Sequence, residues 1–540
     1  MNPIVQDLLQ DQDFLKSLGT KLGYDLAKGD TINTQTGLVW YDLSPVVQFM
    51  YPFKELIPLI SRLPRVPGDG GTAHHWKRIT SINTQNISLG VSEGNRGGRI
   101  SVQEQDQVSS YKTLGLEAST TFEARSASMN LRPDALGTAS ISTLRSTMIG
   151  EEQTLLLGNA STPLGLTPLP TLAAGGTTGN WGGTVTVYVI CVALSGFGFQ
   201  TYTPWNSATS QGGVLGQISK VNADGSIDTF GGGSGQPSVE ASIASVTTGE
   251  VVTATVVPVN GAVGYAWYVG TTSGAEVLAG LTQSNQAIFT VVPPGTAQPI
   301  TALKVGASYQ DNSTNSLVPD GILSQIYGSV FGVGYSTTMG TNPSLPTPAN
   351  VGDALQIAIG GSLVYTAKNG NTGLTINGTN IAEFDILMQA AFDQYKIGYD
   401  RILMSSTDIA NFLGTFFSQN AAAQFKILFD ADQETGRIVA GRRVTSYLNK
   451  FFGNTLDIEI HPYLPPGTVL FWSDQIHYEL AGVANVLQAR VRQDYYQIEW
   501  PLRTRRYEYG VYVDEVFECN FTPAFAVVRN LNPPSGTKVF

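Results

Sequence analysis

From Leu131 to Gly158 apolar side chains recur at Leu136, Ala139, Ile141, Leu144, Met148, Ile149, Leu155 and Leu156, close to one stripe at helical spacing. Pro133 and Asp134 read as the helix entry and Gly158-Asn159 as its stop, which gives a rod of roughly 36 Å. The same spacing places Glu151 and Glu152 on the opposite side, and Gly137 and Gly150 weaken the rod by about 1 kcal/mol each relative to Ala. Ahead of it the period changes to two. Trp76 to Ser88 and Arg99 to Thr121 alternate polar and apolar residues around a turn, Gly90 to Gly98, that holds Glu93, Gly94, Asn95, Arg96 and Gly97. This predicts a long two-stranded ribbon with a polar tip. A lone hairpin is marginal in water, so the ribbon is expected to pack on something outside its own domain.

The rest of the chain divides by pattern. Pro3 to Lys28 carries Ile4, Leu8, Leu9, Phe14, Leu15, Leu18 and Leu22 in short amphipathic helices, and Thr31 to Val66 is rich in aromatic and proline turns that suit an extended arm. Between Asn159 and Val318 the charged residues are Lys220, Asp224, Asp228, Glu240, Glu250, Glu276, Lys304 and Asp311, with no Arg or His. That shift marks an insertion. Thr184 to Leu194, Val251 to Val257, Tyr265 to Val269 and Ala287 to Val292 alternate at the spacing of a small β-sandwich, and Gly231 to Pro237 reads as a linker between its halves. The stretch from about Pro237 to 300 resembles immunoglobulin-like or fibronectin-like modules, with Trp267 and Tyr268 as core. After Pro319, Asn380 to Tyr395 is an amphipathic helix with Asn380 as N-cap and Glu383 three residues on. Asp400 to Met404 follows as a strand and Thr407 to Phe417 as a helix; further strands are Leu456 to Ile460, Val469 to Trp472, Tyr495 to Trp500 and Gly510 to Cys519. Helices and strands on both sides of an all-β insertion make the class α+β.

Composition narrows the function. The chain has 540 residues, 14% charged and 42% hydrophobic, with a net charge of −11, so it is neither disordered nor a dedicated nucleic-acid binder. Met1 to Gln10 has no secretory pattern and no apolar run reaches a membrane span. Cys191 and Cys519 read as buried small side chains. No catalytic, cofactor or metal residue is assigned. His74 and His75 are adjacent, not four apart, and read as polar residues at the ribbon base; His461 and His477 lie by different strands with no paired carboxylate nearby. No phosphate loop or nucleophile elbow is present. Glu93, Arg96 and Arg99 at the ribbon tip are candidates for contact with a neighbouring subunit. So is the basic cluster Arg503, Arg505 and Arg506, with Glu508, Asp514, Glu515 and Glu518 following it as partners for inter-subunit salt bridges.

Three stretches carry a family resemblance: the ribbon Trp76 to Thr121 leading into the helix that ends Glu-Glu-Gln-Thr-Leu-Leu-Leu-Gly-Asn, the stretch Thr379 to Ser406, and Leu464-Pro465-Pro466-Gly467-Thr468-Val469-Leu470-Phe471. Their order is similar to that of major capsid proteins of tailed bacteriophages, whose fold encapsulins share. The resemblance implies an N-terminal arm (1–66), an extended ribbon loop (67–125), a spine helix built on Leu136, Leu144, Met148 and Leu155 (126–158), and a projecting β-sandwich insertion (159–318). A return to the body (319–378), an axial domain (379–490) and a closing peripheral β segment (491–540) complete it. It implies a structural shell subunit, not an enzyme, which assembles in the host cytoplasm with copies of itself into hexamers and pentamers around double-stranded DNA. The implied partners are a separate scaffolding protein, a portal and a decoration protein, without a membrane and without cofactors. Two departures from the better-known members are read here: the arm begins almost at once, so no maturation cleavage of a leading scaffold segment is expected, and the ribbon tip has Arg96 and Arg99 but no Lys, so no covalent cross-link is expected there. The rival readings are a phage tail or surface adhesion protein that binds glycans through the sandwich, and an encapsulin-type compartment.

Overall fold

The computed structural model describes residues 54–68, 70–82, 90–97, 99, 102–128, 134–222, 225–331, 354–356, 360–367, 374–377, 380–419, 430–431, 438–439, 446–474, 485–502 and 504–531. The expected helices of Pro3 to Lys28, most of the arm, His477 and Arg503 lie outside them. The chain divides into two compact units, Met1–Met50 with Thr120–Thr138, and Tyr51–Ser119 with Ala139–Phe540. In the described part of the first, Thr121 Oγ1 accepts from the Ala124 amide at 3.2 Å and caps a short helix, Phe122–Ala127. Asp134 Oδ1 accepts from Gly137 N at 2.8 Å and Ser128 Oγ from Ala135 N at 2.9 Å, satisfying two of the orphan donors that open the following helix.

In chain order the labelled elements begin with strands β1 (Arg65–Pro67), β2 (Ala73–Ile82), β3 (Val102–Ser110) and β4 (Lys112–Thr121), then the long helix α1 (Ala135–Leu157). The insertion contributes β5 (Thr171–Gly179), β6 (Val185–Leu194), β7 (Ala241–Val246), β8 (Gly249–Thr255), β9 (Gly264–Gly270), β10 (Val277–Thr282) and β11 (Gln286–Phe289). The body resumes with α2 (Ile322–Phe331), β12 (Ala354–Gln356), β13 (Leu363–Thr366), α3 (Ala382–Tyr395), β14 (Arg401–Met404), α4 (Ser406–Gln419), β15 (Ser446–Leu448), β16 (Thr455–Ile460) and β17 (Val469–Trp472). It closes with β18 (Leu487–Glu499), β19 (Arg506–Cys519) and β20 (Phe525–Arg529), a mixed α+β chain as expected.

Two sheets organise the body. One has the order β1-β18-β19-β4; the other has seven strands in the order β12-β13-β20-β17-β14-β16-β15. The central strands β13, β20, β17 and most of β14 are buried on both faces, which is why they read as unbroken apolar runs. In β20 the alternation divides the run: Phe525 and Val527 enter one core with Leu403 and Leu470, while Ala526 and Val528 enter the other with Ile402, Met404 and Phe471. Helix α3 covers the second face through Phe384, Leu387, Met388 and Ala391, with the Phe384 ring edge-on to Phe471 at 5.1 Å.

Several expectations are corrected here. Residues 54–67 are not arm: Ile57, Leu59 and Ile60 are buried and β1 pairs in parallel with β18. Asn380 does not cap α3. The N-cap residue is Ile381, with no side-chain bond, and Glu383 turns back to accept the Thr375 amide at 2.9 Å. The closing segment 491–540 is split, since β20 belongs to the sheet assigned to the axial region, between β13 and β17.

The insertion is a β-sandwich of two sheets, β11-β8-β5 and β7-β6-β9-β10. Strands β5 and β6 are integral to it, so a module confined to 237–300 is too short. Trp267 and Tyr268 are both fully buried, but on opposite faces of β9: Trp267 packs between the sheets with Val189, Cys191, Val252 and Phe289, and Tyr268 packs outside them with Ile190, Leu194 and Leu278. Gly231 to Pro237 is not a linker. Gly232, Gly233 and Gly235 donate to the carbonyls of Gly216 (2.6 Å), Asn312 (2.9 Å) and Ala193 (2.8 Å). A Cβ on Gly233, whose φ is +96°, would meet Gly198 N at 2.3 Å. Glycine runs serve here for close approach of buried backbone, not for flexibility.

The insertion is fastened to the body. Asn285 N donates to Asn530 Oδ1 at 2.8 Å, Asn530 Nδ2 returns a bond to Asn285 Oδ1 at 3.0 Å, and Arg529 Nη1 donates to the Val259 carbonyl at 2.9 Å. All three side chains are buried. Replacing Trp267 by Ala is expected to cost about 3–5 kcal/mol, the usual range for emptying an aromatic site in a packed core. The shift of the urea midpoint at unchanged m-value measures it.

Candidate assembly site

Helix α1 runs 23 residues, about 34 Å, so the expected rod exists. Its expected stripe does not. Ile141 and Leu144 are exposed, Leu136 and Met148 are half-buried, and burial is concentrated at the C-terminal end, in Leu155, Leu156 and Leu157 and in Glu151 and Glu152 themselves. The two carboxylates expected in solvent are 1% and 0% exposed. Buried carboxylates must be paired or protonated, and here each is held in a different way.

Glu152 accepts the backbone amides of Leu59 at 2.9 Å and Ile60 at 2.7 Å, and the Nε2 of His461 at 2.8 Å. Tyr463 N donates to His461 Nδ1 at 3.2 Å, so the ring carries its proton on Nε2 and presents it to Glu152. His461 therefore has the paired carboxylate that spacing alone denied it. Glu151 takes Arg65 and the Tyr495 hydroxyl. The Arg65 guanidinium also reaches Asp494 at 2.8 Å, Glu515 at 3.8 Å and the Tyr495 ring face at 4.5 Å. Burial works against the charge on Arg65, but Glu151, Tyr495, Glu515 and Asp494 together hold its pKa above the usual value. Glu151 is raised by burial, with Arg65 and the Tyr495 hydroxyl opposing. Glu515, fully buried, has its pKa raised well above the usual carboxylate value by burial and then by the charge of Glu151. One end of α1 thus ties together the segment before β1, the strands β18 and β19 and the residue after β16.

The ribbon is present as β2 paired with β3, from Ala73 opposite Ser110 to Ile82 opposite Val102. Its second strand is shorter than expected, because Lys112 to Thr121 leaves the ribbon as β4 and joins the sheet beside β19. The root is anchored to the body: Trp76 Nε1 donates to the Cys519 carbonyl at 3.3 Å, and His74 Nε2 lies 3.1 Å from Glu518. Along the ribbon the opposite face carries His75, Lys77, Glu104 and Asp106 in solvent, with Val108 near the root at 60% and Val102 at the far end at 47% exposure.

The remaining candidates are placed as follows. Glu93, Arg96 and Arg99 are exposed and form no ion pair among the described residues; Arg505 and Arg506 are exposed at the β18–β19 hairpin tip beside Trp500 and Leu502. Three of the four acids expected to serve the Arg503 to Arg506 cluster are used within the chain: Asp514 binds Arg492 at 2.9 Å, Glu518 binds Arg490 at 2.6 Å, and Glu515 faces Arg65. No helix among the described residues is long and apolar enough to cross a membrane, and no group of three or more His, Cys, Asp or Glu among them converges on a metal position. Sequence reasoning missed Arg65, Glu151, Glu152, His461, Tyr495 and Glu515; the available signal was a Glu pair set one turn before three consecutive leucines.

Substituting Glu152 by Ala is expected to cost about 3–5 kcal/mol, because it leaves two amides and an imidazole N–H buried without an acceptor; chemical denaturation reads it. For Glu515 the sign is opposite. Its folded pKa lies above the unfolded value of about 4.3, so its stabilising proton is fully bound in both states below that pH and stability is lost as pH rises through the window. Glu515→Gln is therefore expected to unfold at a higher temperature than the parent chain at pH 8, the difference shrinking as pH approaches 4.

No family model and no curated protein matches the chain. Among solved structures it is similar to the capsid of a native GTA particle, with a TM-score of 0.40, 7% identity, and 93% of this chain and 100% of that chain covered. It is also similar to the cyanophage A-1(L) capsid asymmetric unit, with a TM-score of 0.42, 10% identity, and 92% and 98% covered. The satellite phage P4 procapsid with its size determination protein follows, with a TM-score of 0.32, 10% identity, and 97% and 98% covered. All three neighbours are capsids or procapsids.

Proposed function

We propose that the chain is the structural subunit of an icosahedral viral shell, which associates with copies of itself into hexamers and pentamers around double-stranded DNA. The observation that carries this reading is the β2–β3 ribbon. Its two strands form a sheet of their own among the described residues, its root is anchored by side chains, and its outer face offers Val102 and Val108 to water. A two-stranded ribbon with apolar residues on an open face gains stability only when something covers it. A repeating lattice supplies that cover from the next subunit and repeats the gain at every seam.

Separate scaffolding, portal and decoration proteins belong to the same reading, as does assembly in the host cytoplasm with a virion as the product. Glu93, Arg96, Arg99, Arg505 and Arg506 are its rim contacts, each worth about 0–1 kcal/mol as exposed ion pairs, so their role is register more than affinity. The net charge of −11 suits DNA that is enclosed but not gripped. Catalysis has no part in it.

Expressed with its neighbouring genes, the chain is expected to form closed particles by electron microscopy. Val102→Asp with Val108→Asp is expected to stop assembly and leave folded subunits of unchanged circular dichroism. Particles that form normally with both substitutions, or a parent chain that stays a stable monomer in every condition tried, would overturn the reading.

A further inference from the structure

We infer that the open face of the β2–β3 ribbon is the seat for the β18–β19 hairpin tip of a second copy of the chain. The inference rests on the shell reading and adds which two surfaces meet. On β3 the alternate residues Val102, Glu104, Asp106 and Val108 are all exposed on one face. Across the ribbon His75 stands opposite Val108 and Lys77 opposite Asp106. Lys77 lies 3.5 Å from Asp106 and 3.9 Å from Glu104, so one cation answers two acids and the stripe stays acidic between two valines about 20 Å apart. The hairpin tip is its complement. Trp500 and Leu502 are 42% and 64% exposed, Arg505 and Arg506 are exposed beside them, and the run Pro501 to Arg506 holds three arginines and no acid. Glu499 and Glu508 lie just outside that run, where the Trp500 amide donates to the Glu508 carbonyl at 3.0 Å and closes the hairpin.

Trp500 is the one exposed tryptophan among the described residues, and Trp and Arg are the side chains that most often anchor protein interfaces. A single copy cannot bring the two surfaces together. The ribbon is rooted where Trp76 meets Cys519, the last residue of β19, and the tip precedes the first, Arg506. The 14 residues of β19 put about 45 Å between root and tip, whereas Val102, opposite Ile82, lies about 20 Å beyond Trp76. The occupant is therefore another copy. Tip and ribbon are different surfaces, so the contact is head-to-tail and runs on around a ring instead of ending at a dimer. Burial of Trp500 and Leu502 against Val102 and Val108 supplies the gain, and the arginines facing Glu104 and Asp106 set the register.

The test is charge reversal, read by electron microscopy of the full chain expressed with its neighbouring genes. Glu104→Arg with Asp106→Arg, and separately Arg505→Glu with Arg506→Glu, are each expected to cut particle yield about tenfold or more at unchanged circular dichroism, and all four together to restore it. A second measurement mixes two variants under mild oxidation. Val102→Cys chains with Leu502→Cys chains are expected to give disulfide-linked dimers that neither gives alone, Cys191 and Cys519 being buried. Normal yield with either pair of reversals, no rescue by the four together, or cross-linking in one variant alone would overturn the pairing and leave the shell reading standing. Tip-reversed particles of normal yield but without DNA would overturn it as well and assign the arginines to nucleic acid. Should the parent chain form no particles, the shell reading falls alone if the mixed cross-link appears and takes the pairing with it if it does not.

Discussion

The structure depends on two adjacent carboxylates at the buried end of a long helix. Neighbouring residues on a helix point about 100° apart, so Glu151 and Glu152 address different parts of the chain from one turn. Glu152 closes on the Leu59 and Ile60 amides and on His461; Glu151 closes on Arg65 and Tyr495. Buried charge is costly unless every lone pair is used, and that cost makes the arrangement selective. Segments separated by hundreds of residues must arrive together or leave a carboxylate stranded. Arg65 is set among three acids, Glu151, Asp494 and Glu515, and burial with the charge of Glu151 raises the pKa of Glu515.

The seven-stranded sheet is the second constraint. Its central strands bury both faces, so the alternation that distinguishes inside from outside in an exposed strand distinguishes one core from the other in β20. The strand Phe525–Arg529 therefore completes the interior. Arg529 and Asn530 then extend this role outward, since their polar ends meet Val259 and Asn285 of the insertion. Core, closing strand and insertion share one set of buried polar contacts.

Much of this was legible in the sequence. The periods of two and of helical spacing located the ribbon, α1, α3 and most strands within a few residues, and the loss of charge after Asn159 marked the insertion. What failed did so for physical reasons. A helical wheel assigns Glu151 and Glu152 to water because it has no term for a distant Arg65 or His461. Glycine-rich Gly231 to Pro237 reads as a linker because glycine serves two opposite purposes, freedom in solvent and close approach in the interior, and only the neighbouring backbone decides between them. Asn380 and Glu383 match a capping box, but Glu383 finds a better-placed donor in the Thr375 amide. The ribbon's anchor through Trp76 and His74 was invisible for the same reason as the carboxylate pairs: the partners lie more than four hundred residues away.

The two places where the chain leaves and re-enters the body sit side by side, with Gly321 N donating to the Gly158 carbonyl at 2.8 Å and Asn315 N to the Asn159 carbonyl at 2.8 Å. Such a doorway allows whole modules to be exchanged in evolution or by splicing without moving α1 or α2. The exchange is not unconditional. Any replacement inherits a buried guanidinium at Arg529 and an amide at Asn530, and must bring acceptors and donors that meet them in the same orientation.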